Sequence, residues 1–202
     1  MQKLQHWKNR IVIETGMRKK KTQMHTEKLI AACRKNDGKA QLEIYKQYYR
    51  SMYSIALRML NDTAEAEDVM QESFLKAFDK IGTYKGEVTF GAWLKKIVIN
   101  RSLDVLKARK SMISLEMAEE PVSDEEGETW MNYRGLEIST VKEVISSLPD
   151  GYRVVLSLYL IEGYDHEEIS EILSITNATS RTQYHRARKL LAKKLNELKA
   201  VS

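Results

Sequence analysis

The fold is decided by a stretch near the C-terminus, Tyr164-Asp-His-Glu-Glu-Ile-Ser-Glu-Ile-Leu-Ser-Ile-Thr-Asn-Ala-Thr-Ser-Arg-Thr-Gln-Tyr-His-Arg-Ala-Arg188. Asp165, followed three residues later by Glu168, forms a capping box, which predicts that a helix begins there. A break follows at Ser174, and Thr176 is a suitable N-cap for a second helix. Two short helices joined by a turn of about three residues have the dimensions of a helix-turn-helix, whose second helix enters the major groove of DNA.

The second helix of this motif is strongly basic. From Ala178 to Lys199 it carries seven Lys or Arg residues and one acid, Glu197. Helical spacing predicts an inward stripe of Ser180, Tyr184, Ala187 and Leu191. The outward positions, which we call the predicted DNA face, are Arg181, Thr182, His185, Arg186 and Lys189. The alternative interpretation is a solvated basic face on an ordinary helical hairpin, which charge runs usually are.

The composition favours an all-α protein. The 202 residues include only nine glycines and two prolines, while Leu, Glu, Lys and Ala are frequent. Hydrophobic residues make up 43% of the chain, enough for folded cores, and no apolar run approaches the roughly 20 residues of a membrane helix. Cys33 is the only cysteine, which excludes an intrachain disulfide and a cysteine zinc site. The N-terminal residues lack the apolar core of a secretory signal, so we expect a cytoplasmic protein without membrane insertion.

The charge distribution predicts the domain organisation. The net charge is +5, but residues 1–24 contain seven basic residues and one acidic residue, whereas residues 111–135 contain one and seven. The acidic segment also holds a proline and a glycine, so we predict a flexible linker extended by its own repulsion. Two small helical domains are expected on either side of it, at 25–110 and 136–202. The first 24 residues are predicted to be a disordered basic arm, with translation beginning at Met24 as an alternative.

Helical periodicity and capping residues place the helices of both domains. In the first domain, helices are predicted over about 38–60, from a capping box at Asp62 and Glu65 to about Ile81, and from Thr89 onward, with a glycine-bounded loop before the last. In the second domain, helices are predicted near 137–147, 150–162, 165–174 and 177–198. The two domains together are therefore expected to be helical throughout.

Two stretches of the first domain carry candidate functional residues. Asp68, Gln71 and Glu72 share one outward helix face at spacings i, i+3 and i+4, which alone would be a plain solvated face. The stretch Thr89-Phe-Gly-Ala-Trp-Leu-Lys-Lys-Ile-Val-Ile-Asn-Arg101 interleaves aromatic and basic residues. This pattern suits unpaired nucleic acid, because rings stack on bases while cations hold phosphates. Phe90 and Trp93 could instead belong to the core, which we expect for Phe90.

Catalysis has little support in the sequence. The chain lacks a Gly-rich phosphate loop, a zinc signature and a nucleophile elbow. Its four histidines are scattered, and none forms a metal-ligand pair at helical spacing. His166 lies in a capping turn and His185 on the predicted DNA face, so we expect both at the surface. The sequence therefore predicts a protein that is not an enzyme and that needs no metal or cofactor.

The order of motifs along the chain closely resembles that of the extracytoplasmic-function sigma factors of the sigma-70 family. The motifs are Asp68-Val-Met-Gln-Glu72, Phe90-Gly-Ala-Trp-Leu94, Asn100-Arg101, the acidic segment, Leu148-Pro149, Glu167-Glu-Ile-Ser-Glu-Ile-Leu173 and His185-Arg-Ala-Arg188. These factors are bacterial RNA polymerase specificity subunits that retain only the family's second and fourth conserved regions. The resemblance covers nearly everything from about Leu29 to Leu198, and several motifs in the correct order are more specific than any one of them.

The resemblance implies partners and roles for the candidate residues. Core RNA polymerase would be bound, through the clamp helices of its largest subunit, by Asp68, Gln71 and Glu72. The loop at Gly82–Val88 and the helix from Thr89 would open and read the minus-ten promoter element. The candidates there are Tyr84, Lys85, Trp93, Lys96, Asn100 and Arg101. The helix-turn-helix would read the minus-thirty-five element, and an anti-sigma factor would be a further partner, because family members are usually held inactive by one.

Two departures from the family pattern, and two other functions, bear on this interpretation. Ser174 stands where the family usually has glycine, so it must adopt the turn without glycine's freedom. Ser180 replaces a branched apolar residue and is expected to loosen the helix packing slightly. The alternatives are a stand-alone helix-turn-helix regulator, which has no use for the acidic face in the first domain, and an interaction module such as an anti-sigma decoy, which does not need exposed arginines on the second helix.

Overall fold

The computed structural model describes residues 24–109 and 137–201, and within these ranges the chain forms helices and no strand. The helices are α1 (24–33), α2 (Gly38–Leu60), α3 (Thr63–Asp79), a 3-10 turn (Ile81–Thr83), α4 (Phe90–Ala108), α5 (Ile138–Ser146), α6 (Asp150–Leu156) continued by a π-helical turn (Ser157–Ile161), α7 (His166–Leu173) and α8 (Asn177–Val201). The predicted all-α class is confirmed. The predicted basic arm, apart from Met24, and the predicted acidic linker lie outside the described residues.

Side-chain caps begin the helices near the predicted positions. Asp62 Oδ1 accepts a hydrogen bond from the Glu65 amide at 2.9 Å, and Thr89 Oγ1 accepts one from the Ala92 amide at 3.3 Å. Each cap satisfies an amide that has no partner within its helix. The Glu65 carboxylate, which the predicted capping box would direct back to Asp62, binds the Arg109 guanidinium at the end of α4 instead. Helix α3 ends at Asp79, two residues before the predicted end, because a 3-10 turn follows.

The chain divides into two compact units. One contains the described residues up to Met52 together with Gln71–Ile97, and the other contains Tyr53–Met70 together with the described residues from Val98 onward. The unit boundaries therefore run through α2, α3 and α4 rather than through the predicted acidic linker. The second unit joins the end of α2 to the C-terminal helices. The predicted division into domains at 25–110 and 136–202 stays a prediction.

The first unit is held together by aromatic pairs. The Tyr45 ring lies 4.9 Å from that of Phe74, and the Tyr48 ring lies 5.4 Å from that of Phe90, centroid to centroid. Such tilted pairs add to the free energy of apolar burial. Phe90 is only 3% exposed, which confirms the expectation that it belongs to the core.

In the second unit, an apolar cluster packs α5 and α6 against α8. Its buried members are Val144, Ile145, Leu148, Leu156, Ala187, Leu191 and Leu195, and Val141 and Tyr184 pack against them. The predicted inward stripe of α8 is confirmed, since Ser180, Ala187 and Leu191 are each 0% exposed. Burial of this stripe fixes which face of α8 is left for other contacts.

Two arginines bind the C-terminal end of α2. Arg153 is 3% exposed and donates from Nη2 to the Met59 carbonyl at 3.0 Å and from Nη1 to the Leu148 carbonyl at 2.9 Å. The same guanidinium pairs with the Asp150 carboxylate at 2.5 Å. Arg109 donates to the carbonyl of Leu60, the last residue of α2, at 3.0 Å. The last carbonyls of a helix lack partners within it and carry partial negative charge, so cations are favourable there.

The helix-turn-helix forms as predicted. Asp165 accepts from the Glu168 amide while the Glu168 carboxylate accepts from the Asp165 amide, which completes the capping box. Ser174 adopts the left-handed conformation, with φ 57° and ψ 44°, at a cost of about 1 kcal/mol relative to glycine. Thr176 Oγ1 then accepts from the Thr179 amide at 3.0 Å and begins α8. The serine at the turn therefore does not prevent the motif from forming.

His166 is half-buried and joins the two helices of the motif. Its Nδ1 lies 3.0 Å from Ser180 Oγ, and its ring stacks on Tyr159 at 4.7 Å and meets the edge of Tyr184 at 5.4 Å. The buried hydroxyl of Ser180 thus has a partner. This bond opposes the loosening of the helix packing that the sequence predicts for Ser180.

We expect the Arg153→Met substitution to lower the free energy of unfolding by about 3 kcal/mol. It nearly keeps the side-chain volume but removes the guanidinium that binds the Met59 and Leu148 carbonyls and pairs with Asp150. Urea denaturation measures the change. The control is Lys142→Ala, an exposed position on α5, which should stay within about half a kcal/mol of wild type. A loss no larger than that of the control would show that Arg153 does not stabilise this end of α2.

His166 should make the stability depend on pH. Burial, together with the nearby Arg181 charge, lowers the pKa of His166, which Asp165 partly opposes. Between that lowered value and the unfolded value of about 6.5, the unfolded chain binds more protons, so stability is complete above pH 6.5 and falls as the pH decreases. We expect His166→Gln to remove this loss between pH 7 and 5.5 in urea titrations, whereas His185→Gln keeps it. Parallel wild-type and His166→Gln profiles would refute the assignment.

Candidate nucleic-acid interface

The predicted polymerase-binding residues lie at the surface of α3. Asp68, Gln71 and Glu72 are all exposed, while Val69 and Phe74 on the other side of the helix are each 2% exposed. The helix therefore presents two carboxylates and an amide at the spacing that the sequence predicts. We call these three residues the acidic face.

An exposed leucine that the sequence interpretation missed continues this face. Leu75 is 66% exposed and lies three residues after Glu72 on the same helix. Residues three apart on a helix are neighbours on its surface. The helical pattern offered a signal, because Leu75 falls outside the buried stripe of α3.

A short closed loop connects the 3-10 turn to α4. The Tyr84 hydroxyl donates to the Val88 carbonyl at 2.7 Å, and Gly86 has φ +81°, a conformation that favours glycine. The Tyr84 carbonyl accepts from Arg34 Nη2 at 2.6 Å. Lys85, between these anchors, is exposed. The loop thus has a defined shape and presents a cation.

Aromatic rings form the base of this loop. The Tyr84 ring meets Phe90 edge-on at 5.6 Å and lies 5.4 Å from Trp93. Phe90 is buried, whereas Tyr84 and Trp93 are each half-buried. Burial, with the Tyr48 and Glu27 charges, raises the pKa of Tyr84, which Arg34 partly opposes, so its hydroxyl remains a hydrogen-bond donor at neutral pH. The partly accessible rings of Tyr84 and Trp93 are surfaces on which an unpaired base could stack.

The remaining minus-ten candidates continue along α4. Trp93, Lys96 and Asn100 follow one another at i, i+3 and i+7, which places them on one face of the helix. Lys96 and Asn100 are exposed, and Arg101 is half-buried. The face combines a ring, a cation and an amide, the side-chain types that contact bases and phosphates.

The predicted DNA face of α8 is accessible along its length. Arg181 and Lys189 are exposed, and Thr182, His185 and Arg186 are half-buried. Arg181 Nε donates to Asn177 Oδ1 at 2.9 Å, one helical turn earlier. The sequence interpretation did not single out Asn177, although its i, i+4 spacing to Arg181 is one at which helix side chains interact. Holding Nε leaves the two Nη groups of Arg181 as a fork that matches a guanine edge.

The described ranges show neither a metal-ligand cluster nor a membrane-spanning helix. Within residues 24–109 and 137–201, no three His, Cys, Asp or Glu side chains are grouped so as to hold a metal ion. Across the same ranges, every helix is too short or too polar to cross a membrane.

The chain is similar in sequence to known proteins of one family. The chain matches the models for Sigma-70 region 2 over residues 44–112 and Sigma-70, region 4 over residues 139–191. It is 33% identical over 189 residues to the ECF RNA polymerase sigma factor SigW of Bacillus subtilis (strain 168), an alignment that covers 87% of this chain and all of that protein. It is 29% identical over 187 residues to the RNA polymerase sigma-H factor of Pseudomonas aeruginosa, covering 88% of this chain and 97% of that protein.

A solved structure shares the fold. The sigma factor RpoE, in a complex with the anti-sigma factor NepR from Bartonella quintana, superposes with a TM-score of 0.51 at 20% identity, covering 76% of this chain and 95% of that one. The fold, the two family models and the full-length match to SigW agree with one another. The chain belongs to the extracytoplasmic-function RNA polymerase sigma factors of the sigma-70 family.

Proposed function

We propose that this sigma factor directs core RNA polymerase to specific promoters by reading minus-thirty-five DNA with α8 and melting minus-ten DNA with the 84–88 loop and α4. The observation that carries the proposal is the presence, in one chain, of an acidic helix face, a ring-lined loop and a basic recognition helix. Each surface suits a different partner: a basic protein surface, an unpaired strand and a duplex. Because it acts with RNA polymerase, the protein works in the cytoplasm.

The acidic face docks the polymerase. Asp68 and Glu72 supply negative charge to the basic clamp helices of the largest subunit, and Gln71 supplies a hydrogen-bonding amide between them. Complementary charge across an interface speeds encounter and suppresses wrong partners. The exposed Leu75 adds an apolar contact at the end of the face, where a side chain that is 66% exposed gains from leaving water.

The loop and α4 hold the melted strand. A base of the non-template strand flips out of the stack and lies against the accessible rings of Tyr84 and Trp93. Lys85, Lys96 and Arg101 hold the phosphates, and Asn100 contacts a base edge. Stacking on an aromatic ring provides about 1–3 kcal/mol per base, which offsets the few kcal/mol needed to flip the base out.

The recognition helix fixes the register on the duplex. Arg181, Thr182, His185 and Arg186 in the N-terminal half of α8 approach base edges in the major groove, and Lys189 binds a phosphate. The bond from Arg181 to Asn177 orders one of these side chains before DNA arrives. No metal or cofactor takes part in this proposal.

An anti-sigma factor is the further partner that we propose. It is supported by the RpoE relative, whose structure was solved in a complex with the anti-sigma factor NepR. A stand-alone DNA-binding regulator is the main rival interpretation. Transcription in vitro with purified core polymerase separates the two: the proposal requires specific initiation that core polymerase alone lacks, whereas a stand-alone regulator would bind DNA without supporting initiation.

We expect reversal of charge on the acidic face to abolish polymerase binding without unfolding the protein. The variant Asp68→Lys with Glu72→Lys turns attraction to a basic surface into repulsion, while exposed positions cost about half a kcal/mol of stability or less. Co-purification with core polymerase and thermal melting measure the two effects. The matched control is Glu143→Lys with Glu197→Lys, which reverses two exposed acids on α5 and α8, away from the acidic face. Equal polymerase binding by both double variants would remove the role assigned to this face.

We expect arginine and lysine changes on α8 to affect DNA binding in different ways. Arg181→Ala or Arg186→Ala should reduce preference at particular upstream base pairs by about 1–3 kcal/mol, because a bidentate contact to guanine is lost. Lys193→Ala should instead weaken binding to all sequences and lower the salt slope by about one. Binding of randomised upstream elements at two salt concentrations distinguishes these results. If both arginine variants kept the full wild-type preference, a different stripe of α8 would face DNA.

A further inference from the structure

We propose that Arg34 is a positioning residue for the 84–88 loop, and that it thereby increases the loop's discrimination among unpaired bases. The inference rests on the proposed melting function. Arg34 follows α1 directly and donates to the Tyr84 carbonyl at 2.6 Å, across 50 residues of sequence. A cationic donor makes this bond stronger than a neutral one.

The base of the Arg34 side chain is firmly held. Ile30 and Cys33 at the end of α1 are 4% and 1% exposed, and the Arg34 amide donates to the Ile30 carbonyl at 3.0 Å. Thr26, earlier in α1, accepts from Gln47 Nε2 of α2 at 3.1 Å. A guanidinium that extends from such a fixed point can transmit its position to the loop that it binds.

The loop itself depends on few anchors. The bond from the Tyr84 hydroxyl to the Val88 carbonyl closes the loop on itself but does not fix it relative to α1. Lys85, Gly86, Glu87 and Val88 are exposed, so little apolar burial holds them. The bond from Arg34 to Tyr84 ties the start of the loop to the core of the first unit. Segments with few buried contacts open most easily, so the loss of this one hydrogen bond should increase opening of the loop.

The Tyr84 carbonyl is a sensitive place for this anchor. The same residue places its ring 5.4 Å from that of Trp93, where the captured base is proposed to stack. A site that discriminates among ligands must hold its contacting groups to within about half an ångström. Loss of the bond to the Tyr84 carbonyl should therefore reduce discrimination among bases more than it weakens stacking, which every base can provide.

Direct contact with a phosphate is the competing role for an exposed arginine. That role predicts weaker binding of every sequence and a salt slope lower by about one. The positioning role predicts instead a change in base preference, together with a looser loop in the free protein. The next residue, Lys35, is also exposed and offers a matched removal of one positive charge.

The experiment compares Arg34→Ala, Arg34→Lys and Lys35→Ala in the full chain. Hydrogen exchange of the 84–88 amides is measured in the free protein. Binding of each holoenzyme to single-stranded minus-ten oligonucleotides is measured with all four bases at each position. We expect Arg34→Ala to speed exchange in the loop and to reduce discrimination at one position by about three- to ten-fold. Arg34→Lys, which can still donate to the Tyr84 carbonyl, should recover most of both effects, and Lys35→Ala should change neither.

Two results would overturn the inference while leaving the proposed function standing. One is wild-type base selection by Arg34→Ala. The other is a uniform loss of binding with the lower salt slope of a phosphate contact and unchanged loop exchange. If the wild-type holoenzyme itself bound no minus-ten strand, the proposed function would fail and the inference with it, so the two failures are distinguishable.

Discussion

The packing of the second unit depends on which groups donate hydrogen bonds to the last carbonyls of α2. Its final carbonyls have no partners within the helix, and a buried carbonyl without a partner is costly. Arg109 from the end of α4 binds the Leu60 carbonyl, and Arg153 from α6 binds the Met59 carbonyl. A buried guanidinium is itself costly unless its donors are used, so the buried Arg153 needs the Met59 carbonyl as much as that carbonyl needs Arg153, whereas Arg109 is half-buried. These hydrogen bonds join the end of α2 to the end of α4 and to α6.

Carboxylates complete this arrangement. Glu65 near the start of α3 binds Arg109, and Asp150 at the start of α6 binds Arg153. Each guanidinium thus joins a carbonyl at a helix end to an acid near a helix start, and both positions agree in sign with the helix dipoles. The pairing also explains why Glu65 does not close a capping box with Asp62. A buried or half-buried cation competes for the carboxylate more strongly than a backbone amide does.

The local features of the fold could be predicted from sequence, but the long-range polar contacts could not. The helix starts at Asp165 and Thr176, and the break at Ser174, depend on residues within one helical turn, so residue type and spacing suffice. The left-handed conformation of Ser174 was indicated only by the glycine that the family usually has there. Arg153 finds its acceptor 94 residues away, and nothing in the local pattern indicates which carbonyl that is. The buried stripes, unlike the acceptor of Arg153, could be predicted, because the periodicity of the local sequence determines which face of a helix is apolar.

The candidate site follows the same division. Exposure of Asp68, Gln71 and Glu72 could be predicted from spacing, and the structure agrees. The anchors behind the site, Arg34 and Asn177, could not be recognised by residue type, because exposed arginines and asparagines are common on helical surfaces. What distinguishes them is geometry: each holds a group belonging to a residue with a proposed role. The role of Arg34 becomes visible only when the fold brings it to the Tyr84 carbonyl, whereas the i, i+4 spacing of Asn177 and Arg181 is a local signal in the sequence.

The inner side of the helix-turn-helix shows how a departure from the family pattern is accommodated. A serine in place of a branched apolar residue puts a hydroxyl inside the motif, where an unpaired polar group would cost more than the lost apolar contact. His166, the first residue of α7, provides the partner, and its ring packs against those of Tyr159 and Tyr184, which also contact each other. Because Ser180 points inward, this exchange leaves the neighbouring Arg181 outside, bonded to Asn177. The Ser180 hydroxyl therefore has a partner inside the motif, while Arg181 and Lys189 of the predicted DNA face remain exposed.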